Sequence, residues 1–220
     1  DTTDEVKVWV TADGDVNEAT AGNFKLHVSE ALDHDIKVKL SDGSEVTIKA
    51  GETSVNIPLA AQGDDVWKDG ETVSLGAVSV EVVAATGETT APEFEKLTVD
   101  DTKAEIDISD TTDEVKVWVT ADGDVNEATA GNFKLHVSEA LDHDIKVKLS
   151  DGSEVTIKAG ETSVNIPLAA QGDDVWKDGE TVSLGAVSVE VVAATGETTA
   201  PEFEKLTVDD TKAEIDISDT

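Results

Sequence analysis

Ala104-Glu105-Ile106-Asp107-Ile108-Ser109-Asp110-Thr111-Thr112-Asp113-Glu114-Val115-Lys116-Val117-Trp118 lies at the middle of the 220-residue chain and decides how it is read. Ala104, Ile106 and Ile108 alternate with Glu105 and Asp107, and Val115, Val117 and Val119 alternate with Lys116 and Trp118. Apolar side chains at a period of two mark half-buried β-strands. The two strands are joined by Ser109 to Asp113, a link with neither Gly nor Pro and no low-complexity spacer. The same run opens the chain, where Asp1-Thr2-Thr3-Asp4-Glu5-Val6 repeats as Asp110-Thr111-Thr112-Asp113-Glu114-Val115. Residues 1–109 and 110–218 match at every position, and 219–220 begin a third copy. The chain therefore reads as a slice of a tandem array. A period of 109 residues suits a self-sufficient domain rather than a solenoid unit, so two domains are expected.

Composition narrows the class. Each repeat has two Trp and two Phe but no Tyr, Met, Cys or Arg, and its apolar residues are mostly Val, Ala, Leu and Ile. Val and Thr favour strands. Without cysteine there is no disulfide to stiffen the fold. No apolar run reaches the length of a membrane helix, and no signal peptide precedes Asp1, as expected of an internal piece. A net charge of -33 argues against nucleic acid or anionic lipid as partners and creates self-repulsion that multivalent cations would relieve.

Along one repeat the alternation predicts strands at Val6–Val10, Phe24–Val28, Ile36–Leu40, Val46–Ile48, Val55–Leu59, Val73–Val82 and Lys103–Ile108. Ser41-Asp42-Gly43-Ser44 is a hairpin signal, Pro58 points to an edge strand, and the change of phase at Gly76-Ala77 reads as a bulge. Short strands at regular spacing and no helix-period segment give an all-β fold: two tandem immunoglobulin-like antiparallel β-sandwiches, expected to form an extended rod.

Acidic loops separate these strands. Asp13, Asp15 and Asn17 start like a calcium loop of the EF-hand kind, but Glu18 stands where that loop needs Gly and Phe24 where it needs Glu. The adjacent pairs Asp64-Asp65 and Asp100-Asp101 repel each other unless solvated or metal-bound. In an up-and-down reading, loops 12–22, 41–44 and 61–70 share the end where the chain leaves a repeat, and loops 31–35 and 84–102 the end where it enters. Asp13, Asp15, Asp64, Asp65 and Asp69 are then expected to face Asp142, Asp144, Asp209 and Asp210 of the next repeat, with Asp110 and Asp113 between. Together with Asp100 and Asp101 these are the candidate ligands of a hard cation, calcium above all.

Other chemistry is sparse. His27 and His34 lack the spacing of a zinc site, no Gly-x-Ser-x-Gly places a nucleophile, and nothing gathers Glu45, Glu52 and Glu71 into a cleft, so no enzyme is expected. Trp9, on the outward phase, either covers a neighbouring strand or forms a sugar-stacking platform. Trp67 is expected to pin its acidic loop to the end of the sandwich.

Three runs carry a resemblance. Val46-Thr47-Ile48-Lys49-Ala50-Gly51-Glu52-Thr53-Ser54, Asp64-Asp65-Val66-Trp67-Lys68-Asp69-Gly70-Glu71-Thr72-Val73 and Phe94-Glu95-Lys96-Leu97-Thr98-Val99-Asp100-Asp101-Thr102 resemble the extender repeats of giant repeats-in-toxin (RTX) adhesins of Gram-negative bacteria, including biofilm and ice-binding adhesins. The first two runs also resemble Calx-beta domains. The resemblance covers essentially the whole repeat and departs at Lys103, where a Pro is expected. It implies an extracellular, cell-surface spacer stiffened by calcium that holds terminal ligand-binding domains away from the cell. Its partners would be the neighbouring repeats of the same chain; the chain itself would be monomeric and out of contact with the membrane. A carbohydrate-binding or cell-adhesion module is the alternative.

Overall fold

The computed structural model describes residues 3–220. The chain divides into two compact units, one of Asp1–Asp64 with Asp69–Thr111, the other of Asp65–Lys68 with Thr112–Thr220. Both are all-β.

The first unit runs β1 (Glu5–Ala12), β2 (Val16–Asn17), β3 (Gly22–Val28), β4 (Ile36–Leu40), β5 (Glu45–Ile48), β6 (Ser54–Leu59), β7 (Glu71–Leu75), β8 (Ala77–Val82), β9 (Lys96–Val99) and β10 (Ala104–Ser109). A four-stranded sheet has the order β6-β3-β1-β9, and three-stranded sheets have the orders β5-β4-β8 and β2-β10-β7. β6, which carries Pro58, is an edge strand as Pro requires. The second unit repeats the pattern from β11 (Glu114–Ala121) through β12 (Val125–Asn126), β13 (Gly131–Val137), β14 (Ile145–Leu149), β15 (Glu154–Ile157), β16 (Ser163–Leu168), β17 (Glu180–Leu184), β18 (Ala186–Val191) and β19 (Lys205–Val208) to β20 (Ala213–Ser218).

Register follows the alternation. Val8 lies opposite Val28, Val10 opposite Leu26 and Ala12 opposite Phe24. Val8 and Leu26 are wholly buried, and Phe24 and Val28 nearly so, against Ile36, Val38, Leu40 and Ile106 from the other layer. On the outer face of the same pair Trp9 lies opposite His27, their rings stacked 5.1 Å apart at 9°. Thr11 Oγ1 holds the far side of that imidazole at 2.8 Å. Trp9 thus covers the neighbouring strand.

Two features depart from simple alternation. Residues 71–82 are not one bulged strand. Gly76 divides them, so that β7 pairs with β10 while β8 pairs with β4, and the two three-stranded sheets meet there. A Cβ at Gly76 would lie 3.0 Å from the Asp101 carbonyl oxygen, a close approach that any larger residue would have to push apart. In addition, β9 runs parallel to β1 and β2 parallel to β10, two parallel pairs within an otherwise antiparallel fold. A parallel partner leaves no hairpin in the sequence, so alternation could not show it.

His34 ties loops together. Its Nδ1 lies 2.7 Å from Asp33 Oδ1 and its Nε2 3.0 Å from Glu88 Oε2. These hydrogen bonds, that from Asp33 first, raise the imidazole pKa, and the Glu88 carboxyl, held by the Ala85 N–H and by His34, is lowered.

Two outcomes follow from this packing. Leu26→Ala should cost about 2–5 kcal/mol in chemical denaturation, and Lys25→Ala less than about 0.5 kcal/mol; equal losses would contradict the strand phase. A raised His pKa gives stability that is whole below the unfolded value, about 6.5, and lost as pH rises through the folded one. The lowered carboxylates give stability that is lost as pH falls below about 4. His34→Gln should therefore reduce the melting temperature at pH 5.5 and leave it little changed at pH 9; an equal reduction at both would contradict the pairing.

Candidate functional site

In each unit the short strand after the first loop, β2 or β12, is followed directly by a buried glutamate. Val16 and Glu18 share a phase, and the Glu18 side chain is completely buried; Glu127, its counterpart, is 1 % exposed. In the second unit the Glu127 backbone is fixed on both sides, its N–H donating to Ser218 O at 3.0 Å and its carbonyl accepting from Gly172 N at 2.9 Å. Glu127 Oε1 accepts from the Thr220 N–H at 3.1 Å and from Thr220 Oγ1 at 2.8 Å, while Oε2 is buried with no hydrogen-bond partner among the described residues. The first unit has the same arrangement, with Thr111 N and Oγ1 on Glu18 Oε1, each at 2.9 Å, and Glu18 Oε2 without a partner.

More carboxylates gather there. Glu127, Asp178 and Asp219 each place an oxygen within 4.8 Å of the others. Asp219 Oδ1 accepts from Asp178 N at 3.0 Å and Gly179 N at 2.7 Å, which turns the loop before β17 toward the end of β20. A Cβ at Gly179 would sit 2.8 Å from the Ile217 carbonyl oxygen, so the turn needs a glycine. Asp178 is pushed above the ordinary carboxylate range by loss of solvent and by the negative charges of Asp174, Glu127 and Asp219.

The hydroxyl of Thr220 exposes the imbalance. Its oxygen lies 2.8 Å from Glu127 Oε1 and 2.6 Å from Asp173 Oδ1, yet it has one proton to give. In the first unit Thr111 Oγ1 stands in the same way between Glu18 and Asp64. One carboxylate oxygen is thus left facing a lone pair in each unit. A buried carboxylate oxygen without a donor costs several kcal/mol unless a proton or a cation meets it. An all-oxygen donor set with several negative charges and no nitrogen or sulfur suits a hard divalent cation such as calcium.

The acidic residues singled out by spacing fall into two groups. Asp64 and Asp110 join Glu18 through Thr111 and the Asp69 N–H, which donates to Asp110 Oδ1 at 3.1 Å. Most others already have donors: Asp65, Asp100 and Asp209 cap their own turns, accepting from Trp67 N, Thr102 N and Thr211 N, while Asp13 accepts from Asn23 Nδ2 on β3 and Asp15 from Asp107 N on β10. Asp144 takes Ala159 N and Lys158 Nζ, and these bonds lower its pKa. Asp142 accepts from Trp67 Nε1 and pairs with His143, and Asp113 donates its N–H to Glu204 Oε2 at 2.6 Å. Asp101 and Asp210 are exposed. Glu18 and Glu127 were not among the candidate ligands, although their shared phase with Val16 and Val125 was the signal that turns them inward.

The sequence pattern of the LapA domain family matches residues 4–111 and again residues 113–220. No curated protein matches the chain. Among solved structures, CBD12 from CALX1.2 is similar at 11% identity over 94% of this chain and 99% of that one, with a TM-score of 0.36. The calcium binding domain CBD12 of CALX1.1 is similar at 11% identity over 94% and 98%, with a TM-score of 0.34. Neither likeness is near enough to carry an argument about this chain. The family pattern, which spans nearly every residue, does decide the matter: the chain belongs to the LapA domain family, named for a large adhesin, and holds two tandem copies of its domain.

Proposed function

We propose that this adhesin-type module is a non-enzymatic spacer of a bacterial surface adhesin, extracellular, in which calcium held by the acidic end of each unit stiffens a tandem array and keeps terminal ligand-binding domains away from the cell. The observation that supports it is the buried Glu127, one of whose carboxylate oxygens has no donor among the described residues, in a cluster with Asp178 and Asp219. Glu127, Asp178 and Asp219 would hold the ion, with Asp173 and Thr220 completing the shell around them. A bound divalent cation supplies the positive charge that the cluster lacks. The chain's own part is to hold the carboxylates together: Gly179 allows the loop to approach β20, and Thr220 fixes one oxygen of Glu127. Glu18, Asp69 and Asp110 are the matching residues of the first unit.

The acidity, the repetition and the lack of a cysteine framework all agree with this reading. An array with no disulfides and a charge of -33 over two units needs a source of rigidity that also offsets repulsion. A carbohydrate-binding module would account for the sandwich but not for identical copies, and one face of Trp9 is already taken by His27.

An ion bound only by the folded state stabilises by about 2.7 kcal/mol at a hundredfold excess over its dissociation constant, which is on the order of 10 °C for a domain of this size. The melting temperature should rise by that order in calcium relative to chelator. Glu18→Gln with Glu127→Gln should reverse the order of the two proteins: above the parent in chelator, because two buried charges are gone, and below it in calcium. A parent melting curve indifferent to calcium would contradict the proposal. Binding to a glycan array would favour the carbohydrate reading instead.

A further inference from the structure

The two repeats share one sequence, yet one apolar pocket is filled in the second unit and open in the first. In the second unit Trp67 is 6 % exposed. Its ring stacks on Phe203 at 4.6 Å and meets His143 edge-on at 5.3 Å, and its Nε1 donates to Asp142 Oδ1 at 3.0 Å. The backbone on either side is paired as in a short β-bridge, Lys68 N donating to Glu202 O at 2.8 Å and Glu204 N to Val66 O at 2.9 Å. Leu141 beneath the ring is buried.

In the first unit the identical side chains Leu32, His34, Ile36, Val82 and Phe94 line an open cavity of 180 Å³. Leu32 is partly exposed there, and the Asp33 side chain is 95% exposed where that of Asp142 is 70%. The second copy of the inserting segment is also open. Val175 and Trp176, which repeat Val66 and Trp67, are 89% and 72% exposed. An indole that exposed forfeits the largest apolar burial available to any side chain of its loop.

We infer that the Leu32–His34–Phe94 pocket is a socket for the Val175–Trp176 segment of a second copy of this chain. Every contact needed is one the molecule already makes with the same residues: indole on Phe94, Trp176 Nε1 to Asp33, Lys177 N to Glu93 O and Glu95 N to Val175 O. Socket and insert are different residues of the chain, so the contact is head-to-tail and each copy keeps a half that can take up another. It involves few residues and works against strong like charge, so it is weak and depends on screening, which at about 1 M salt confines repulsion to about 3 Å. The inference is independent of calcium.

Sedimentation equilibrium in chelator and about 1 M sodium chloride tests it on the whole chain. The average mass of the wild type should rise with concentration toward the millimolar range, with a blue shift of tryptophan emission. Trp176→Ser, a change at an exposed position, should stay monomeric, and so should Phe94→Ala, with its fold checked by circular dichroism. Mixed, these two should form one-to-one dimers and nothing larger, because each retains the half that the other lacks. A wild type that stays monomeric, or a Trp176→Ser chain that associates equally well, would overturn the inference. Association lost in Trp176→Ser but unchanged in Phe94→Ala would overturn the assignment of the pocket.

Discussion

A buried carboxylate at the end of each sandwich sets the terms for the residues around it. Glu127 has one oxygen satisfied by Thr220 and one satisfied by nothing, and Asp178 and Asp219 bring further negative charge to within 4.8 Å. Hydrophobic packing does not account for this, because the sandwich core lies elsewhere, among residues such as Val117, Leu135 and Ile215. Nor do lysines neutralise it: among the described residues the lysine ion pairs of the second unit, Lys68 with Glu202, Lys158 with Asp144 and Lys205 with Glu114, engage other carboxylates. Several elements converge on the glutamate, among them Gly179, Thr220 and the backbone of Ser218 and Gly172. An arrangement that gathers acidic groups so closely is stable only when their charge is met.

The strands were legible because nearly every one presents a single apolar face. Val6, Val8 and Val10, and Phe24, Leu26 and Val28, are buried as their alternation requires. The hairpin at Asp42-Gly43 and the edge position of Pro58 were equally readable, since each rests on a local backbone preference. What alternation could not show was partnership. The division of residues 71–82 between two sheets depends on the close approach of Gly76 to Asp101, and the parallel pairing of β9 with β1 joins residues some 90 apart in sequence.

The site was legible only in part, for a related reason. A count of carboxylates finds the acidic loops but does not tell a turn cap from an ion ligand. Asp65, Asp100 and Asp209 have backbone donors within their own turns, whereas Glu18, outside every acidic pair, is the group left wanting. Tryptophan carries the complementary lesson. Trp67 and Trp176 have identical neighbours in sequence, yet one is buried and the other 72% exposed, so the environment of a side chain is not a property of its repeat alone.

Ion binding at the glutamates is what the proposed stiffening requires first. Isothermal titration of the whole chain with calcium, for the wild type and for Glu127→Gln, measures it without reference to stability. The account predicts saturable binding by the wild type and the loss of one class of ion from Glu127→Gln, with circular dichroism unchanged. The same stoichiometry and affinity in both proteins would contradict it.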